Sequence, residues 1–88
     1  MNDPIPLFVD GTKAVKLVDN NPRRRFLNIW SGGSDLYYGT RNIKPTNYGQ
    51  KVPAGEHGLI EKDTDEVWVI RAASTSGLCE YSEENSNG

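Results

Sequence analysis

Nowhere in this chain do apolar residues keep the i, i+3, i+4 spacing of a helix face. They come in runs of about 4–8 residues closed off by Gly, Pro, Asn or Asp, the pattern of strands separated by turns. Strands are expected at residues 13–19, 23–31, 36–40, 50–52, 58–62, 66–73 and 78–82. This spacing predicts an all-β chain, a small antiparallel β-sandwich or barrel of about 6–8 short strands. Ser31-Gly32-Gly33-Ser34-Asp35 reads as a hairpin loop, because glycine reaches positive φ without steric cost. Residues 1–12 read as an extended arm carrying Ile5, Leu7 and Phe8 among Pro4 and Pro6, and residues 13–82 as the β domain. Residues 83–88 contain only Glu, Asn, Ser and Gly and read as a flexible polar tail, since they bury too little to offset chain entropy.

In the best strands both alternating sets are apolar. Phe26 and Trp30 oppose Leu27 and Ile29, and Trp68 and Ile70 oppose Val67 and Val69. A strand of a lone two-sheet sandwich should carry one polar face, so the second apolar face asks for another cover. At 88 residues the chain is one domain, and a domain of this size buries only about 60–65% of its unfolded surface. Small scaffolds add a disulfide, a metal or oligomerisation. Cys79 is the single cysteine and His57 the single histidine, with no metal-ligand spacing between them. Oligomerisation remains, and a neighbouring copy is the expected cover.

Charge narrows the partners. Ten Lys and Arg against twelve Asp and Glu give a net charge of −2, the wrong sign for neutralising phosphates along a nucleic acid. No stretch is long and apolar enough to span a membrane, and Met1-Asn2-Asp3-Pro4 lacks the basic start of a secretory signal. A soluble, unsecreted chain is expected, and a lone free cysteine fits synthesis in a reducing cytoplasm.

No catalytic, cofactor or metal site is expected. His57 has no nucleophile at recognisable spacing and sits in a turn-like Gly55-Glu56-His57-Gly58 setting, and Cys79 reads as a small buried apolar residue. Asp63, Asp65 and Glu66 lack the central glycine and closing glutamate of a calcium loop, and Gly32-Gly33 lacks the Gly-Lys-Ser/Thr of a phosphate loop. Two features point to contact with partners. Arg23, Arg24 and Arg25 either pair with a cross-strand acid such as Glu66 or Glu80 or grip an acidic partner surface. The aromatics Trp30, Tyr37, Tyr38, Tyr48, Trp68 and Tyr81 supply either core or else a sugar-stacking platform or an interface, where Tyr and Trp are enriched, and for the interface the candidates are Phe26, Trp30, Tyr38, Trp68 and Ile70 with the arginines. Together with Ile5, Leu7 and Phe8 of the arm, these are the candidate interface residues.

The order Arg24-Arg25-Phe26-Leu27-Asn28-Ile29, Leu36-Tyr37-Tyr38-Gly39-Thr40, Asn42-Ile43-Lys44-Pro45-Thr46, Val52-Pro53-Ala54-Gly55-Glu56, Glu66-Val67-Trp68-Val69-Ile70 resembles the small β-proteins of tailed-bacteriophage particles. The resemblance covers residues 13–81 and consists of strand-and-turn patterns without a catalytic signature. It implies a non-enzymatic virion component made in the host cytoplasm. Such a component is commonly trimeric, and it decorates or cements the head against the major capsid protein. The alternative it implies is a receptor- or glycan-binding module of a head or tail fibre. In that case Trp30, Tyr37, Tyr38 or Tyr48 should gather in one groove facing a host-surface glycan.

Overall fold

The computed structural model describes residues 4–61 and 64–85. They form eight strands: β1 (Ile5–Asp10), β2 (Val15–Val18), β3 (Arg24–Trp30), β4 (Leu36–Gly39), β5 (Gln50–Val52), β6 (His57–Glu61), β7 (Val67–Arg71) and β8 (Ser76–Asn85). Two antiparallel four-stranded sheets result, with orders β1-β8-β3-β6 and β2-β7-β4-β5. The all-β sandwich expected from the run lengths is therefore the observed architecture.

The pairings nest. β1 lies on β8, β2 on β7, β3 on β6 and β4 on β5, so the chain is one long hairpin whose tip is the link from β4 to β5. Rolling that hairpin brings β8 against β3 and β7 against β4, the jelly-roll arrangement of two packed sheets. Only β4 and β5 are both consecutive in the chain and paired, so every other link among the eight crosses between sheets.

The core lies between the sheets. Leu27 and Ile29 of β3, Cys79 of β8, Ile60 of β6 and Val9 of β1 meet Leu17 and Val18 of β2, Leu36 of β4, Val52 of β5, and Val67 and Val69 of β7. Leu7, Val15, Tyr38 and Tyr81 pack against its margin. Two arginines close the ends of this sandwich. At one end the buried Arg24 donates from Nε to Glu83 Oε2 at 2.7 Å, from Nη1 to the Asp65 carbonyl at 3.0 Å and from Nη2 to the Asp19 carbonyl at 2.7 Å. At the other, Arg71 is fully buried and donates from Nη1 to the carbonyls of Ser31 and Ser34 and from Nη2 to that of Leu78. Each guanidinium ties the start or end of β3 to β8.

Several expectations are corrected. Ser31–Asp35 is not a hairpin loop, because β3 and β4 belong to different sheets. Its carbonyls wrap Arg71, and Gly32, at φ +83°, passes so close to the Leu78 carbonyl that a Cβ would overlap it. The stretch read as an arm folds back as β1, pairing Leu7 with Cys79 and Phe8 with Leu78 on the chain's own β8. Pro6 is tolerated there because β1 is an edge strand. The stretch read as a polar tail is in part strand, since β8 runs to Asn85 and Glu83 pairs with Arg24; residues 86–88 lie outside the described residues, as do Lys62 and Asp63.

Cys79 is fully buried, and desolvation pushes its thiol up, opposed by the neighbouring Arg71. The folded chain therefore keeps a proton that the unfolded chain loses above the usual thiol range of about 8.5. This contribution is present below that pH and is lost as pH rises towards the folded value. The expected outcome is a thiol that reacts with an aromatic disulfide reagent only at the rate of unfolding. Labelling followed over increasing urea checks this, and immediate reaction in native buffer would contradict it.

Candidate functional site

The outer faces of the two sheets are built differently. On the β2-β7-β4-β5 sheet, Trp68 and Ile70 point away from the core, yet Ile70 is only 2% exposed. The hairpin tip, residues 40–49, folds back over this face. It is pinned by the Lys44–Asn47 bridge, by the buried Ile43 against Gly39, and by Tyr48 stacked on Tyr37 with centroids 3.9 Å apart. Arg41 stands 5.7 Å from the centre of the Trp68 ring, whose Nε1–H donates to Glu66 Oε1 at 3.2 Å. Cover for Ile70, and part of the cover for Trp68, thus comes from the chain itself.

The β1-β8-β3-β6 sheet has no such cover among the described residues. Its register lines up outward side chains in rows: Phe8 beside Leu78, then Pro6, Glu80, Trp30 and His57, then Ser82, Asn28 and Leu59, then Glu84, Phe26 and Glu61. Phe8 is 60% exposed, and Leu59 and Leu78 are each 56% exposed. Trp30 is half-buried and forms one wall of a shallow depression of about 290 Å³ shared with Pro4, Asn28, His57 and Glu80. Arg25 stands 5.2 Å from the Phe26 ring at the far end. Covering a side chain of the size of Phe or Leu is worth about 1.5–3 kcal/mol. The three most exposed, each already partly covered, therefore contribute on the order of 3–5 kcal/mol, against association costs of about 4–15 kcal/mol. A stable contact needs Trp30, Phe26 and the two prolines as well.

The sequence candidates divide between these faces. Phe8, Phe26 and Trp30 come together on the open sheet, with Arg25 at its margin. Ile5 lies on the opposite side of β1 and is exposed, while Leu7 and Tyr38 pack against the core. Trp68 and Ile70 belong to the covered face. Arg23 is exposed, its backbone N–H bonded to Asn21 Oδ1 at 3.0 Å, and Arg24 is the buried latch described above, paired with Glu83 in place of Glu66 or Glu80. Arginines 23–25 therefore form no common patch: their middle member is inside.

Leu59 and Leu78 were missed, although Leu59-Ile60 and Leu78-Cys79 each place apolar residues on both parities, the same signal that Phe26 to Trp30 gave. Arg71 was missed too. An arginine closing the run Val67-Trp68-Val69-Ile70 is the sign of a charge drawn into the core. Trp30, Tyr37, Tyr38 and Tyr48 make no single platform, because Trp30 is on one outer face, Tyr37 and Tyr48 on the other, and Tyr38 against the core. His57 is exposed on the open sheet while Cys79 is sealed inside, so these two do not meet. Among the described residues no group of three His, Cys, Asp or Glu side chains converges to hold a metal ion. No protein family, curated protein or solved structure matches the chain.

Proposed function

We propose that this chain is a non-catalytic structural protein that works by association through the open face of the β1-β8-β3-β6 sheet. The observation that carries this reading is the asymmetry of the two faces. One is roofed in part by the chain's own hairpin tip, whereas the other leaves Phe8, Leu59 and Leu78 more than half exposed around Trp30. Clusters of this kind mark contact surfaces more than scattered surface leucines do. Self-association through this face follows, and a trimer is the form that the sequence resemblance implies.

The same resemblance supplies the setting: a head-decoration or cement protein of a tailed-phage virion, seated on the major capsid protein. The jelly roll suits such a role as a rigid scaffold, but viral coat and lectin domains share it, so the fold by itself selects neither. The decoration reading is favoured over the fibre-glycan alternative because the rings that alternative requires do not gather in one groove.

Co-sedimentation tests it. The purified chain should pellet with assembled heads of its phage and not with free coat subunits. A Leu59→Glu, Leu78→Glu variant should keep its melting temperature to within a few degrees, since both side chains are exposed, and lose at least about tenfold in retention. Equal retention of the variant would remove the open face from the interaction.

A further inference from the structure

A second, independent surface lies on the other sheet. The hairpin tip and the link from β1 to β2 rise as two walls over the outward side of β7 and leave between them a depression of about 840 Å³. Its floor is Trp68 and Ile70. Lys13 stands on one wall and Arg41 and Lys44 on the other, and no acid is among the lining residues, in a chain whose net charge is −2. Asn42, Asn47, Thr12 and Thr46 add amides and hydroxyls between the cations.

We propose that this depression binds an acidic saccharide, a sugar chain bearing carboxylates. The volume falls within the range of about 300–1,000 Å³ typical of small-ligand sites. A recess lined by one sign of charge concentrates ions of the other. The Trp68 ring offers an apolar plane for the face of a pyranose, and Arg41 beside it offers the paired donors that match a carboxylate. Amide and hydroxyl side chains exchange hydrogen bonds with sugar hydroxyls as both donors and acceptors. A phosphate ligand is disfavoured, since the cations are spread over two walls and no glycine-rich turn converges backbone N–H groups between them. Three acids stand close by: Asp10 Oδ1 accepts from the Thr12 N–H and hydroxyl and from the Lys13 N–H, while Asp65 and Glu66 line an adjoining depression that shares Arg41, Glu66 there accepting the Trp68 indole N–H. The rings involved differ from those of the open sheet, so this site and the association surface stand or fall separately.

The test is a titration of the ¹⁵N-labelled full chain followed at its two tryptophan indole N–H resonances. The probes are a tetrasaccharide of alternating glucuronate and N-acetylglucosamine, the neutral N-acetylglucosamine tetramer, and sodium phosphate. With the acidic tetrasaccharide the Trp68 resonance should move while that of Trp30 stays, and the neutral tetramer and phosphate should each bind at least about tenfold more weakly. Lys13→Ala with Lys44→Ala should lower affinity by at least about tenfold with an unchanged melting temperature, because both side chains are exposed. An unmoved Trp68 resonance, equal binding of the neutral tetramer, a matching response to phosphate alone, or full affinity in the double variant would each overturn the proposal.

Discussion

Replacing Arg71 by alanine is expected to lower the unfolding free energy by about 3–5 kcal/mol. The guanidinium serves three carbonyls, those of Ser31, Ser34 and Leu78, and no solvent reaches it. Its Nε is without a hydrogen-bond partner and no carboxylate among the described residues pairs with it, so the charge is held at a desolvation cost that lowers its proton affinity. Buried ion pairs are often replaced by apolar residues without loss. Here the acceptors are backbone carbonyls that cannot be removed, and each one left unsatisfied costs about 1–3 kcal/mol. That comparison decides the sign. Arg71→Met fills the space without the donors and should recover only the cavity part, about 1 kcal/mol. Urea unfolding of the wild type and both variants measures this, and a methionine variant as stable as the wild type would show that the carbonyl bonds contribute nothing net.

Arg24→Ala is expected to cost about 2–4 kcal/mol. Its side chain has no exposure, while its partner Glu83 is 28% exposed, so water compensates the carboxylate in part and the loss stays below that of Arg71. The carbonyls of Asp19 and Asp65 lose their donor at the same time. Arg24→Lys should recover little, because an ammonium on a single stem cannot reproduce a fork that serves three acceptors on three segments. Thermal unfolding of the three proteins checks the order wild type, lysine, alanine. A lysine variant equal to the wild type would reduce Arg24 to a point charge.

The sequence shows plainly that the chain is β-structured, because run length and turn residues are local properties. The inner set Leu27 and Ile29 and the outer set Phe26 and Trp30 are equally plain from parity. Pairing is not local. β1 meets β8 and β2 meets β7 across almost the whole chain, and no residue pattern near Ile5 announces the strand at Tyr81 that it lies beside. Gly32 misled for a related reason: a positive φ serves a hairpin and a crossover alike, and what distinguishes them here is Arg71, which bonds the Ser31 carbonyl from 40 residues along the chain. Of the candidate site, Phe8, Phe26 and Trp30 were legible. Trp68 and Ile70 belong to a different surface, because nothing in Arg41 to Gly49 declares which sheet the tip will cover. An outside cover was therefore expected for both sheets, whereas the chain itself covers much of one and the described residues leave the other open.

On the proposed function, the face carrying Phe8, Leu59 and Leu78 is buried in the working protein. Light scattering on the purified chain over a rising concentration series tests this most directly. The predicted result is a stable multiple of the 9.8 kDa chain mass, threefold for a trimer, which falls to the single-chain mass in the Leu59→Glu, Leu78→Glu variant. A wild-type chain that stays at 9.8 kDa up to roughly 100 μM, with those side chains in water, would contradict it.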